Sequence, residues 1–454
     1  MFEFDNSYRR LPDRMYTSMT ATPVSDPDIF ALNGALLSEL GATPSDADWA
    51  AVFSGNLTPE GAAPLAQAYG GHQFGHWNPG LGDGRALLLG EVVTPRDRFD
   101  IQLKGSGRTP YSRSGDGRAW LGPVIREYLM SEAMHALGVP TTRALAAVTT
   151  GDTVYRETAL PGAVLTRVAS SHIRVGTFQL FSFLQDPDAL QALFDHTQAR
   201  HFPNADGPTE VLQDMTNRQA DLIAQWISLG FIHGVMNTDN MLICGETIDY
   251  GPCAFMDGYH PMRVFSSIDR QGRYAYGNQP KIAVWNIAQF ASALVTLMPD
   301  QDAAIDEFTK IVNSFADRYA ATSARLMAAK IGLPPTENSA DLVNRLLQMM
   351  TEVEADFTLT FANLPEQMPD HPDAETWGRD WRAQSPDVEK MQAANPWVIP
   401  RTHQIEAAIT AAVTGDFGRF NDMLGAVTQP FTRNDMFEKT PLPDEVVPQT
   451  FCGT

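Results

Sequence analysis

The alternation of apolar and polar positions changes character along the chain. Asp28 to Leu40 reads as one of several short helical pieces within residues 1 to 80, and the dense run Tyr69-Gly-Gly-His-Gln-Phe-Gly-His-Trp-Asn-Pro-Gly80 reads as loop. From Arg85 two apolar runs, 86 to 93 and 99 to 105, flank the polar turn Thr94-Pro-Arg-Asp-Arg98, a pattern for paired strands. Residues 122 to 138 place Ile125, Leu129, Ala133 and Ala136 on one helical face and stop at Gly138 with Pro140 beyond. RALAAVTTG and AVLTRVAS read as further strands. Helical periodicity dominates afterwards, around 218 to 230, 283 to 297, 302 to 331, 339 to 361 and 403 to 425. The expectation is α+β: an N-terminal extension over 1–80, a mixed lobe over 81–165, and a mainly helical lobe with a C-terminal extension over 166–454.

Composition narrows the function classes. The 454 residues are 43% hydrophobic, enough for ordinary cores, and 33 Lys plus Arg against 54 Asp plus Glu leave a net charge of −21. Such a charge repels phosphate backbones and anionic lipid, so neither nucleic acid nor membrane is an expected partner. Three cysteines, Cys244, Cys253 and Cys452, form neither a disulfide framework nor a metal-type spacing. The N-terminal stretch lacks a secretion pattern, and no run reaches about 18 consecutive apolar residues. A cytoplasmic protein is expected.

Three constellations carry chemistry. Lys104 ends a strand and Glu127 sits 23 residues on, within the helix; a carboxylate that fixes a lysine can aim it at phosphate oxygens, although a surface lysine and a solvated glutamate would look the same. Gly82-Asp-Gly-Arg85 recurs as Gly115-Asp-Gly-Arg118. Glycines allow backbone N–H groups close to phosphate oxygens, and arginine offers a planar fork; a hairpin turn would explain the glycines as well. The segment Lys104 to Arg118 adds Arg108, Arg113 and Arg118, a clustering that suggests a polyphosphate cradle. The most specific constellation is His233-Gly-Val-Met-Asn-Thr-Asp-Asn240 followed by Thr247-Ile-Asp-Tyr-Gly251. Kinase-like phosphotransferases place a catalytic Asp after His-(Arg or Gly), a metal-binding Asn five residues further, and a second metal-binding Asp at a strand end. Asn240 and Asp249 keep that register, as oxygen ligands for Mg²⁺. Val235 occupies the position of the base and cannot accept a proton, which leaves Asp239 as the carboxylate inside the loop.

Two features admit two readings each. Arg167 and Arg174 can neutralise a phosphate or form structural ion pairs. His72 and His76 have a metal-type spacing, but the glycines around them break the helix it requires and favour packing within a loop.

These stretches, with Arg126-Glu-Tyr-Leu-Met-Ser-Glu-Ala-Met134 and Asn395-Pro-Trp-Val-Ile-Pro-Arg-Thr-His403, resemble the selenoprotein O family, also called YdiU, over nearly the whole chain. The resemblance implies a protein-kinase-like two-lobed pseudokinase fold and a protein adenylyltransferase. ATP is then reversed relative to kinases, so that AMP passes to protein hydroxyls of Ser, Thr or Tyr, with UTP as a further possible donor. It also implies that Gly82, Gly84, Arg85, Lys104, Asp116, Gly117, Arg167, Arg174 and Asp249 bind ATP and that Glu127 orients Lys104. Asn240 and Asp249 would hold Mg²⁺ or Mn²⁺, and Asp239 would accept the proton. Relatives often end in Cys-Ser-Ser or its selenocysteine version, whereas this chain ends Phe451-Cys-Gly-Thr454; a Cys253–Cys452 disulfide is implied only by that likeness. The rival readings are a kinase-like phosphotransferase, which Val235 opposes, and an inactive nucleotide-binding scaffold.

Overall fold

The computed structural model describes residues 2–95, 97–364 and 366–451. It mixes helix and sheet as expected. The main sheet is antiparallel throughout, in the order Tyr16–Ser18, Leu65–Gln67, Ala86–Val93, Arg98–Lys104, Ala159–Ala169, Arg143–Tyr155, Asp28–Leu32, with the short Ala119–Trp120 pairing onto Ala159–Ala169. Three of these strands come from the first 80 residues, so that segment is woven into the sheet rather than appended to it. The boundary expected at 165/166 falls inside the strand Ala159–Ala169.

Side chains of the central strand Arg98–Lys104 alternate between two covered faces. Ile101 and Leu103 join a core with Leu36, Trp49, Val52 and Phe53 from the helices Gly34–Glu39 and Trp49–Ser54. Gln102 and Lys104 point to the other face, beneath the helix Leu121–Ala136. That is the period of two in a strand, and it turns polar residues toward one shared space.

The remaining chain is helical, with Pro208–Leu229, Gln279–Val295 and Gln301–Lys330 at its centre. Pro208 opens the first of these and Gly230 closes it at φ 72°, the usual punctuation. The last helices, Thr402–Val413 and Gly418–Val427, return to the helix Leu121–Ala136, with Arg126 paired to Glu406 and the Phe420 ring edge-on to Tyr128. Among the described residues no helix is long and apolar enough to cross a membrane.

Several expected elements are corrected. Asp28 to Leu40 is a strand, Asp28–Leu32, then a helix, Gly34–Glu39, because Asn33 accepts a hydrogen bond from Leu36 N and caps the helix only there. The run 69–80 is not a plain loop: Gly71–Gln73 and His76–Asn78 form a hairpin around Phe74 (φ 51°) and Gly75 (φ 83°), both in the left-handed region that tight two-residue hairpins demand. The periodic stretch 339–361 is two helices, Glu337–Glu352 and Phe357–Asn363, split where Asp356 caps Leu359 N. Likewise 403–425 is broken near Gly415, at φ 92°.

Candidate active site

The strand register brings Arg167 opposite Gln102, and Lys104 two residues further on the same face. Glu127 descends onto them from the helix. Lys104 Nζ donates to Glu127 Oε2 at 2.6 Å and to Asp249 Oδ1 at 2.7 Å. Arg167 donates from Nε to Glu127 Oε1 at 2.8 Å, from Nη2 to Asp249 Oδ1 at 2.7 Å and from Nη1 to Gln102 Oε1 at 3.2 Å. Two cations and two carboxylates thus form a neutral, largely buried quartet. Burial opposes ionisation of both acids, but Arg167 and Lys104 outweigh it and hold Glu127 and Asp249 below the usual carboxylate range. The surface-lysine reading of Lys104 is thereby excluded. Arg167 and Arg174 are both 2% exposed; Arg167 is spent on ion pairs, whereas the Arg174 guanidinium lies 4.2 Å over the Tyr69 ring and 3.8 Å from Asp83, with its Nε buried and unpartnered.

Asp249 stands at φ 63°, an uncommon backbone state for a residue with a side chain, costing about 1 kcal/mol. Both contacts made to its carboxylate fall on Oδ1. Among the described residues Oδ2 has no partner. The adjoining segment fixes the loop that precedes it: His233 Nε2 donates to Ile248 O at 2.8 Å and Nδ1 accepts from Val235 N at 3.3 Å, which defines a neutral tautomer. Val235 is buried. Its carbonyl accepts from Asn240 Nδ2 at 3.0 Å, so Asn240 keeps its Oδ1 available.

Asp239 is 8% exposed, and burial pushes its carboxyl up to about 6, with Arg174 opposing. Its Oδ2 accepts from Gln73 Nε2 at 3.3 Å, while Oδ1 is buried without a partner. A methyl on Gly71 would sit 2.7 Å from that Oδ1.

The glycine turn does something the sequence did not disclose. Gly82 is at φ 108° and packs on the Tyr111 ring, and Gly84 N–H donates to Gly82 O. Asp83 between them turns inward, accepts from Gln67 N at 3.0 Å, and is pushed up to about 6 by burial, Arg174 opposing. The Arg85 carbonyl accepts from Gly105 N at 2.7 Å. The second copy is placed otherwise. Asp116 is exposed and paired with Arg156 at 2.8 Å, and Gly117, at φ 70°, has no room for a side chain against Gly107 O. Arg118 donates to Thr22 O and Pro23 O, and Arg108 to Arg113 O. Two of the three guanidinium groups of the expected cradle, those of Arg108 and Arg118, are thus spent on backbone carbonyls. His72 follows the packing reading, its Nδ1 bonded to Gln179 Nε2 at 3.0 Å.

No three His, Cys, Asp or Glu among the described residues are grouped to hold a metal. Asn240 Oδ1 and Asp249 Oδ2 fit the alternative, a hard cation that takes two protein oxygens and completes its shell with phosphate oxygens and water. Cys253 is a buried free thiol pushed up to about 12 by burial, and Cys452 lies outside the described residues. Nearby, Thr450 donates from Oγ1 to Pro252 O at 2.6 Å and docks beside Ser266.

The family model described as "Protein adenylyltransferase SelO" matches residues 1–378. Relatives named "Protein nucleotidyltransferase YdiU" include that of Jannaschia sp. strain CCS1, 56% identical over 477 aligned residues and covering 100% of this chain and 99% of the relative. That of Roseobacter denitrificans is 57% identical, and that of Ruegeria sp. strain TM1040 54%, each alignment covering 99% of both proteins. With a family model over most of its length and relatives above half identity from end to end, this chain belongs to the SelO family.

Proposed function

We propose that the chain is a cytoplasmic protein adenylyltransferase that moves AMP from ATP to Ser, Thr or Tyr hydroxyls of other proteins, with UMP from UTP as a second transfer. It does so on a kinase-like pair of lobes; the expected bounds, 1–80, 81–165 and 166–454, shift so that Tyr16–Ser18, Asp28–Leu32 and Leu65–Gln67 join the sheet of the first lobe and the division falls after the strand Ala159–Ala169. Nucleotidyl transfer as such accords with the name carried by its relatives. The observation that carries the finer reading is the loop itself: a buried valine stands where a phosphotransferase has its base, and four residues on Asp239 offers one unpartnered oxygen.

Arg174, whose Nε is buried without a partner, supplies fixed positive charge for the phosphates; Lys104 and Arg167, paired with Glu127 and Asp249 in the nucleotide-free chain, would share those ion pairs with the phosphates, and Glu127 keeps Lys104 aimed. Preorganised charge of this kind needs no rearrangement as negative charge develops. Gly82, Gly84, Arg85, Asp116 and Gly117 complete the nucleotide's surroundings. Asn240 and Asp249 would hold Mg²⁺ or Mn²⁺, which when bound neutralises phosphate charge. The acceptor oxygen attacks the α-phosphorus, its proton passes to Asp239, and the bond to the β-phosphate breaks with its electron pair leaving on pyrophosphate.

The test is to incubate the chain with ATP labelled at either the α or the γ position, with Asp239→Ala and Lys104→Ala alongside. Protein-bound label from α-labelled ATP alone, lost in both variants, is expected. Label from γ-labelled ATP overturns the proposal in favour of a phosphotransferase, and nucleotide binding with no label from either makes the chain a scaffold.

A further inference from the structure

The hairpin formed by Gly71–Gln73 and His76–Asn78 takes part in none of the quartet's contacts, yet it lies directly on the loop His233–Asn240. Main-chain groups fix its height: His72 N donates to Thr238 Oγ1 at 2.7 Å, and Phe74 N to Asn237 Oδ1 at 3.1 Å and the Tyr274 hydroxyl at 3.2 Å. At its base Gly70 N donates to Gly176 O at 3.1 Å, and a methyl on Gly176 would meet Gly70 O at 2.2 Å, so the two backbones touch. Against this rigid seat one side chain reaches the loop's carboxylate. Gln73 Nε2 lies 3.3 Å from Asp239 Oδ2. The amide must turn its NH₂ that way, since an ionised carboxylate only accepts.

We propose that Gln73 is the positioning residue of Asp239: it holds Oδ2, so that Oδ1 is the oxygen presented to the proton of the acceptor hydroxyl. The two oxygens are already unequal in their surroundings, one bonded and the other buried with its acceptor capacity unused. Gly71 supports the same assignment, because a side chain there would collide with Oδ1 and displace it. At 3.3 Å the bond is long for a charge-assisted one, and its contribution is to direction rather than to charge. Gln73 gains and loses no proton in the reaction. Misalignment of a reacting group costs on the order of 100-fold in rate, which sets the scale of the effect.

The proposal rests on the transfer reading above, and the experiment separates the two. Initial rates of labelling from α-labelled ATP, with casein as a hydroxyl-rich acceptor, are compared for the parent, Gln73→Ala and Gln73→Glu, together with KM for ATP and the melting temperature. The expected result is a fall in kcat of about 10- to 100-fold in both variants, with KM for ATP and melting temperature close to the parent's. Gln73→Glu is the sharper variant, since it keeps the shape and loses the N–H donor. Parent-like kcat in either variant overturns the proposal, as does a joint loss of kcat, ATP affinity and thermal stability, which marks a role in folding alone. A parent that incorporates no α-label rejects the transfer reading itself, and the positioning claim falls with it; a labelling parent with unaffected variants rejects only the latter.

Discussion

Replacing Glu127 by glutamine removes one charge from the quartet while keeping the side chain's shape, and leaves Lys104 and Arg167 facing Asp249 alone. Glu127 uses both oxygens, one for Lys104 and one for Arg167, and its side chain is 4% exposed; the amide of a glutamine would have to point a donor at a cation. Breaking a buried ion pair on one side costs about 3–5 kcal/mol. Asp249→Asn removes the same charge, but that side chain is 27% exposed and receives both cations on one oxygen, so solvent takes up part of the loss and about 1–2 kcal/mol is expected. A chain of 454 residues unfolds with an entropy of about 1 kcal/mol per degree, so the melting temperature should drop by about 3–5 °C for Glu127→Gln and about 1–2 °C for Asp249→Asn. Calorimetry on nucleotide-free protein measures both. If Asp249→Asn melts at or below Glu127→Gln, or if Glu127→Gln melts with the parent, the quartet is not a buried interdependent unit and the reasoning fails.

Two further outcomes are expected. Gly71→Ala should reduce labelling from α-labelled ATP at least tenfold while leaving nucleotide binding intact, because its methyl would lie 2.7 Å from Asp239 Oδ1 and touches no member of the quartet; labelling at the parent's rate refutes it. Glu246, which accepts from Ser170 N at 3.1 Å and from the Ser170 hydroxyl, is pushed up to about 7 by burial. A carboxyl whose folded value is raised stabilises fully below its unfolded value of about 4.3, and that contribution is lost as pH rises through about 7. Glu246→Gln should therefore lose less stability than the parent between pH 5 and 7.5, and parallel melting curves across that range contradict the assignment.

What the sequence disclosed was local. Lys104 on a strand, Glu127 on a helix and the His233–Asn240 and Thr247–Gly251 stretches were legible because each is defined by short spacing and period. Side-chain direction in the glycine turns was not. Gly82-Asp-Gly and Gly115-Asp-Gly read alike, yet Asp83 is drawn inward by Gln67 N and Arg174, whereas Asp116 is drawn out by Arg156, and those partners lie far off in the chain. The joining of Tyr16–Ser18, Asp28–Leu32 and Leu65–Gln67 to the sheet is a long-range pairing that no local period reports. Gln73 was missed because its meaning depends on a residue 166 positions away. Nothing in the run 69–80 set Gln73 apart from its polar neighbours His72, His76 and Asn78.

That separation also sets a clock during synthesis. Chains elongate at roughly 5–20 residues per second, so the 166 residues between Gln73 and Asp239 represent roughly 8–30 s in which the hairpin has emerged without the loop it covers. The helix bearing Glu127 waits longer still for the Thr402–Val413 segment that pairs Glu406 with Arg126. A nascent chain stopped before the last fifth of its length therefore carries Lys104, Glu127 and Asp249 but neither the Glu406 partner of Arg126 nor the Phe420 ring against Tyr128.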